Sequence, residues 1–225
     1  MIFLTGGGDM NKPYVEYVCD FIANQETGKP IYAHEISRCV AETYHIPLKK
    51  AAGAVSVACK RIMDGKIIPE LRFYQKGIYY RVTITPFGET DIDKEQLIKD
   101  KYLKNDNGYE TGLIVLHRLG LTTQMPNERI LASNRAGDCA RIDKKLGIVV
   151  RPPKVEINAD NKQYLKILDV LDILDKAPVD AEHPYKIIGA YIERLGLEYV
   201  RLLALANNYY NRNTILQLAH VAGGR

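Results

Sequence analysis

The chain has few cysteines among its 225 residues, and they are not spaced as in metal or redox motifs. Cys19, Cys39, Cys59 and Cys139 lie far apart and form no Cys-x-x-Cys pair. This spacing gives no support to a zinc site or a thioredoxin-like site. We expect the cysteines to serve as small buried hydrophobic residues in a reducing compartment.

Long apolar runs and targeting signals are also missing. No stretch approaches the roughly 20 apolar residues that a membrane-spanning helix needs. The N-terminus lacks the basic start and extended apolar segment of a signal peptide. Since 46% of the residues are hydrophobic and 26% are charged, the composition is that of a globular protein with a sizeable core. We expect a cytoplasmic protein that makes no membrane contact.

Catalytic and metal-binding motifs are absent as well. The five histidines show neither His-x-x-x-His nor His-Glu-x-x-His spacing. The opening MIFLTGGGD resembles a nucleotide-binding turn, but no crossover helix and returning strand follow it. No Ser-His-Asp order or P-loop is present. The sequence therefore predicts no cofactor, no metal and no catalytic residue, and we expect that the chain is not an enzyme.

The positive charge is concentrated in the first third of the chain. The net charge is +4, and Met10 to Val82 hold eleven Lys and Arg against seven Asp and Glu (11 − 7 = +4). The other residues hold twenty of each sign. A basic segment beside a neutral one indicates that the first third binds an anionic partner.

Periodicity in the first third predicts three helices and a hairpin. Apolar residues recur at helical spacing after Pro13, from Ala33 to Tyr44, and after Pro47. In the third helix the predicted buried stripe is Leu48, Ala52, Val55, Cys59 and Ile62. Strand-forming residues from Lys66 to Val82 surround a turn at 75–77. This order is typical of a winged helix-turn-helix, in which the third helix enters the DNA major groove and the hairpin forms the wing.

The sequence thus predicts an α+β protein with three segments. Residues 1–11 form a flexible leader, residues 12–84 a winged helix-turn-helix, and residues 85–225 a mixed α/β domain with a helical C-terminal half. In the second domain we expect a linker at 83–91, helices at 93–103 and 109–119, strands near 129–133 and 140–151, and helices over most of 162–221. Leu165, Leu168, either Leu171 or Asp172, and Ile173 should face inward.

The cations of the predicted third helix and wing are the candidate DNA contacts. A lysine or arginine can neutralise a phosphate or bind a guanine edge, and a serine lets a helix approach the groove closely. The candidates are Lys49, Lys50, Ser56, Lys60 and Arg61 on the helix, and Arg72, Lys76 and Arg81 on the wing. The alternation of side chains between the two faces of a strand leaves open which of Arg72 and Arg81 faces the DNA.

Two polar clusters in the second domain admit a structural and a functional interpretation. The turn Thr122-Thr123-Gln124 is expected to cap carbonyls, and the alternative is a small pocket with Ser133, Asn134 and Arg135. The series Asp169, Asp172 and Asp175 is expected to be a solvated helix edge. The alternative is a magnesium site of a nucleic-acid-processing enzyme.

Three stretches resemble the AbiEi-type antitoxins of bacterial abortive-infection and type IV toxin-antitoxin systems. They are CKRIMDGKI at 59–67, YQKGIYYR at 74–81 and GLTTQMP at 120–126. The resemblance spans roughly residues 12–134. It implies a DNA-binding repressor that acts on inverted repeats in its own operon, with a C-terminal domain that counters a nucleotidyltransferase-like toxin. Direct contact with that toxin stays open, and we expect a monomer or a weak homodimer. The alternative is a winged helix that binds a partner protein without DNA.

Overall fold

The computed structural model describes residues 13–224, so the leader predicted at residues 1–11 lies outside the described residues. The fold is mixed α+β, as the sequence predicts. The chain divides into two compact units, the first ending at Leu97 and the second beginning at Ile98. This division lies further along the chain than the predicted domain boundary at residue 84.

The first unit begins with three helices and a short strand, followed by a hairpin. Its elements are α1 (Tyr14–Ala23), β1 (Ile31–Tyr32), α2 (Ala33–Thr43), α3 (Leu48–Asp64), β2 (Leu71–Gln75) and β3 (Ile78–Arg81). Pro13 and Pro47 stand at the N-caps of α1 and α3, with φ of −56° and −57°. His45 adopts a left-handed φ of 50°, which makes the connection between α2 and α3 a sharp turn.

The core of the first unit lies where the three helices converge. Its fully buried members include Val18 and Ile22 of α1, Ile36 and Val40 of α2, and Ile62 of α3. The predicted stripe of α3 is wrong at two positions, because Leu48 is 57% exposed and Ala52 is also exposed. Ala51 is buried in their place. Leu48 is the first residue of the helix, where fewer neighbours surround a side chain.

Three strands close one side of this unit in the order β1-β3-β2. All neighbours are antiparallel, with Ile31 opposite Tyr79, and Phe73 also opposite Tyr79 on the other side. The predicted hairpin turn is confirmed at residues 76–77, where Gly77 has a φ of 78° that favours glycine.

The segment predicted as a linker contains a second hairpin. Strands β4 (Ile84–Thr85) and β5 (Gly88–Glu89) pair antiparallel, and helix α4 (Lys94–Ile98) follows. The Asp93 backbone N–H donates to the Gly28 carbonyl at 2.8 Å, and Lys29 pairs with the Asp93 carboxylate at 2.7 Å. Residues 83–93 are therefore built onto the first unit and do not form a plain linker.

The second unit combines a four-stranded sheet with a helical C-terminal half. After a π turn (Lys99–Leu103) and a 3-10 turn (Lys104–Asp106), its elements are β6 (Gly108–Thr111), α5 (Leu113–Arg118), β7 (Arg129–Ser133), β8 (Arg141–Asp143), β9 (Ile148–Arg151), α6 (Lys162–Ile173), α7 (Pro184–Arg194), α8 (Tyr199–Tyr209) and α9 (Arg212–Gly223). The sheet order is β6-β7-β9-β8, and only β7 and β9 run parallel.

The helix predicted at residues 109–119 is only partly correct. Residues 108–111 form β6, which pairs with β7, and Gly112 separates this strand from α5 with a φ of 78°. The inward face predicted for the next long helix is confirmed, since Leu165, Leu168 and Leu171 are fully buried in α6. In the described range 13–224, no helix has both the length and the apolar character needed to cross a bilayer.

Candidate nucleic-acid interface

Helix α3 carries a cationic outer surface, which we call the α3 face. It consists of Lys49, Lys50, Ser56, Lys60 and Arg61, and every one of them is exposed. Within residues 13–224, its four cations make no ion pair and no side-chain hydrogen bond. Unpaired cations retain their full charge for a ligand, because no carboxylate in this described range neutralises them.

Helical geometry explains why these five side chains share one surface. The buried side of α3 is formed by Ala51, Val55, Ala58, Cys59 and Ile62, so positions 49, 50, 53, 56, 57, 60 and 61 point away from the core. The first turn contains no acidic residue, and Asp64 is the last residue of the helix. At Gly53 an added Cβ would meet no heavy atom within 4 Å. The middle of this surface is therefore open and free of negative charge.

Lys76 lies exposed in the turn between β2 and β3, and this turn contacts the start of α2. The Ala33 backbone N–H donates to the Gly77 carbonyl at 2.9 Å. His34, the next residue, is exposed, and so is Arg38 one helical turn further along α2. Sequence reasoning missed both side chains. Their i, i+4 spacing, on the side of α2 opposite Ile36 and Val40, could have indicated that they share an exposed basic surface.

Arg72 and Arg81 are both engaged inside the first unit. Arg72 binds Glu89 with two guanidinium nitrogens and donates to the Pro69 carbonyl at 2.7 Å. Arg81 donates to the Ala23 and Gln25 carbonyls at 2.6 and 2.9 Å, and to the Glu70 carboxylate at 2.7 Å. Arg81 therefore joins the end of α1 to the sheet. Both arginines have partners, whereas Lys76 has none among residues 13–224.

The aromatic residues of the β2–β3 hairpin divide between core and surface. Tyr79 packs against the core of the first unit and meets Phe73 edge to face, whereas Phe73 is 52% exposed. Beneath Tyr79, burial raises the pKa of the Cys59 thiol to about 11. A thiol with so high a pKa is unreactive at neutral pH, as expected of a structural cysteine. Cys139 is exposed, so the prediction of a buried role is wrong for that residue.

In the second unit, Asp169 is buried at 2% exposure within a network of hydroxyl groups and one arginine. Tyr109 donates to its carboxylate at 2.9 Å, Thr111 at 3.0 Å and Tyr210 at 2.9 Å, and Arg151 completes the set as an ion pair. The solvated edge predicted for this position is therefore wrong. Burial raises the pKa of Tyr109 far above its ordinary range, so the phenol stays protonated as a donor.

Asp172 lies one turn further along α6 and binds the junction between α8 and α9. It accepts from Lys154 at 2.9 Å, Asn211 at 2.7 Å and Thr214 at 2.9 Å. Burial opposes ionisation, but these donors outweigh it and lower the pKa of the carboxyl. Asp175, by contrast, is exposed. Asp169 and Asp172 are therefore structural carboxylates, and Asp175 lies at the surface.

The Thr122-Thr123-Gln124 turn makes structural hydrogen bonds. Asp180 accepts from the Thr123 backbone N–H at 2.9 Å and from its hydroxyl at 2.6 Å, and Thr122 is 3% exposed. Ser133 instead donates to the Tyr102 carbonyl at 2.9 Å, and Asn134 holds the backbone of Ile157. These partners favour a structural role over a shared pocket, although the Thr123 hydroxyl binds a carboxylate and not a carbonyl as predicted.

Among residues 13–224, no group of three or more His, Cys, Asp or Glu side chains is arranged to hold a metal ion. No known family model matches the chain, and no curated protein matches it in sequence. The arrangement of unpaired cations in the first unit is consequently the feature that bears most directly on function.

Proposed function

We propose that the chain is a sequence-specific DNA-binding transcriptional repressor that acts in the cytoplasm. The observation that carries this proposal is the α3 face, with four unpaired cations around Gly53 and Ser56 and no acidic residue before Asp64. Cations on one helix surface with small residues between them suit the approach of a helix to phosphates and base edges.

The order of elements in the first unit supports a winged helix-turn-helix. Two helices joined by a sharp turn precede a hairpin, and β1 pairs along the returning strand. In this design α3 is the recognition helix and Lys76 lies at the tip of the wing. His34 and Arg38 extend the basic surface toward the wing, whereas Arg72 and Arg81 act as structural residues.

The antitoxin role rests on the resemblance of residues 59–67, 74–81 and 120–126 to the AbiEi-type proteins. We propose that the chain represses its own operon by binding inverted repeats and counters a nucleotidyltransferase-like toxin through its second unit. A nucleotidyltransferase-like reading frame next to this gene, and relief of its toxicity by co-expression of this chain, would support the role. Full toxicity in the presence of the chain would contradict it.

A protein-interaction module without DNA binding is the second candidate. The observation that favours it is the outward side of α8, where Val200 is 80% exposed and Leu203 is 50% exposed. Apolar positions one turn apart on a solvent-facing helix suit a partner surface. A stable complex with the adjacent gene product and no retardation of promoter DNA would select this function.

The experiment that tests the DNA-binding proposal is a gel-shift titration of the chain's own promoter. We expect Lys60→Ala with Arg61→Ala to reduce affinity at least about tenfold, roughly 1.4 kcal/mol, because two phosphate or base contacts are lost. The matched control is Arg118→Ala with Lys162→Ala, which removes the same charge from the second unit. Equal affinity of the α3 variant and the unaltered chain would refute the assignment.

A further inference from the structure

Gly53, Val57 and Lys60 lie where α3 points directly away from the core of the first unit. The buried residues of the helix define its inner side, and they are Ala51, Val55, Ala58, Cys59 and Ile62. An α-helix turns by about 100° per residue, which places Gly53 about 180° from the centre of that inner side. By the same geometry, Val57 and Lys60 lie within about 40° of Gly53. We call these three residues the α3 ridge.

Gly53 has no packing role within residues 13–224. Glycine inside a helix is less favourable than alanine, because it loses more conformational freedom on folding. A helical glycine often makes room for a neighbour, as at Gly189 of α7, where an added Cβ would lie 3.6 Å from the Val221 side chain. At Gly53 an added Cβ would meet no heavy atom within 4 Å. Its missing side chain therefore suits the close approach of another molecule to the helix backbone.

Val57 places two methyl groups on the same ridge. It is 51% exposed, one helical turn beyond Gly53. The exposed cations Lys49 and Lys50 precede it on α3, and the exposed cations Lys60 and Arg61 follow it. A single exposed apolar residue is common on proteins and needs no explanation by itself. The position of this valine, between four cations and beside an unfilled glycine, is what points to a ligand.

The charge around the ridge selects the class of ligand. None of the four cations is paired within residues 13–224, and the first turn of α3 contains no acidic residue. A polyanion is attracted to such a surface, whereas an apolar protein surface would bury these charges without partners. Double-stranded DNA is a polyanion that also presents apolar groups in its major groove, namely the C5 methyl groups of thymine. Double-stranded RNA has a major groove too narrow for side chains to read.

We propose that Val57 contacts the C5 methyl group of a thymine in the operator, and that Gly53 lets the backbone of α3 approach the base edges closely enough for this contact. The contact rests on the proposed function, because α3 must enter the major groove to make it. The other bases present hydrogen-bonding groups there without a methyl group. A valine would remove water from those groups and replace none of their hydrogen bonds, so Val57 selects thymine.

Binding of the full chain to its own promoter, prepared with thymine or with uracil throughout, tests the contact. Uracil keeps the base pairing and lacks the C5 methyl group. We expect the unaltered chain to bind the uracil promoter at least about fourfold more weakly, which corresponds to about 0.8 kcal/mol for one buried methyl-sized group. Val57→Ala should bind the two promoters with affinities within about twofold of each other, because the partner of the methyl group is gone.

Leu216→Ala is the matched control for the valine variant. Leu216 is also 51% exposed, and it lies on α9 of the second unit. This variant should lose as much affinity on the uracil promoter as the unaltered chain does. Val57→Ala should fold normally, since alanine is a better helix former than valine. Equal sensitivity of Val57→Ala and the unaltered chain to uracil, or insensitivity of both, would overturn the thymine contact.

Replacements of Gly53 test the close approach. Gly53→Ala and Gly53→Leu should both raise the midpoint of thermal unfolding, because both residues favour a helix and the added Cβ meets no neighbour. Gly53→Leu should nevertheless weaken promoter binding about tenfold or more, since a large side chain holds the helix away from the bases. A glycine with a purely structural role would not combine a gain in stability with a loss of affinity. Unchanged affinity of Gly53→Leu would overturn the close approach.

The same titrations separate the thymine contact from the proposed function. If the chain retards no promoter fragment, the repressor function fails and the contact fails with it. If Lys60→Ala with Arg61→Ala weakens binding while uracil has no effect, the repressor function stands and the contact alone is refuted. If Val57→Ala changes the oligomeric state of the free chain in analytical ultracentrifugation and stays sensitive to uracil, Val57 binds protein and the thymine contact is wrong.

Discussion

Helices α3 and α6 both carry charged residues and use them in different ways. On α3 the four cations are exposed and have no partner within residues 13–224. On α6 the carboxylates of Asp169 and Asp172 are bound by Arg151 and Lys154 and by neutral donors. Removing the partner of an internally bound charge destabilises the fold, whereas a charge that is left free is available to a ligand. The difference is why we propose the α3 face as the surface for DNA.

Neutralising Asp169 should have the largest effect on stability. Asp169→Asn leaves Arg151 without its counterion and weakens three hydrogen bonds in a buried site, so we expect a loss of about 3 kcal/mol in the free energy of unfolding. Chemical denaturation followed by circular dichroism measures it. Asp175→Asn at the exposed end of the series is the control, with an expected change within about 0.5 kcal/mol. Similar losses in the two variants would contradict the contrast between buried and exposed carboxylates.

Replacing Arg81 should destabilise the first unit by a smaller amount. Arg81→Ala removes the donor to two carbonyls at the end of α1 and the partner of Glu70, and we expect a loss of about 1–3 kcal/mol. The folded variant should bind promoter DNA with unchanged affinity under conditions where it is fully native. A loss of DNA affinity without a loss of stability would show that Arg81 contacts the ligand.

Acid should weaken the link between Asp172 and the junction of α8 and α9. The pKa of this carboxyl is lower in the folded chain than in the unfolded chain, so its stabilisation is present above the unfolded value of about 3.9 and is lost as pH falls through the folded value. The stability difference between the unaltered chain and Asp172→Asn should thus shrink below about pH 4. Thermal unfolding at several pH values measures it, and a constant difference would contradict the linkage.

Breaking the pair between Arg72 and Glu89 should have the smallest effect. Both side chains are partly exposed, at 35% and 46%, so we expect Glu89→Gln to lose less than about 1 kcal/mol. Added salt should reduce the loss further, because screening weakens exposed ion pairs. A salt-independent loss of several kcal/mol would show that the pair holds the hairpin in place.

The three helices and the β2–β3 turn of the first unit could be predicted because their signals are local. The signals are the spacing of apolar residues after Pro13 and after Pro47, and the turn at Lys76-Gly77. Each is a property of a short segment. The predicted buried stripe of α3 is wrong at Leu48 and Ala52. Near the end of a helix, the spacing of apolar residues fits a stripe shifted by one residue equally well. The prediction that Lys60 and Arg61 point outward is nevertheless correct, because they directly follow Cys59, which is buried as predicted.

The incorrect predictions concern features that depend on contacts between segments far apart in the sequence. The strand at 108–111 forms by pairing with 129–133, and the apolar residues that follow it mimic a helix. Asp169 is buried because Tyr109 and Tyr210 reach it from 60 and 41 residues away. Two of the three partners of Arg81 are backbone carbonyls, which carry no sequence signal. Only the packed fold distinguishes a structural arginine from a ligand-binding one.

The salt dependence of promoter binding tests the role of the α3 face most directly. Each phosphate contact contributes about 0.9 to the slope of log affinity against log salt concentration. We predict that Lys49→Ala with Lys50→Ala reduces the steepness of that slope by about 2 and weakens binding. Lys176→Ala with Lys186→Ala, which removes the same charge from exposed positions of the second unit, should leave the slope unchanged. Equal slopes for both double variants would contradict the account.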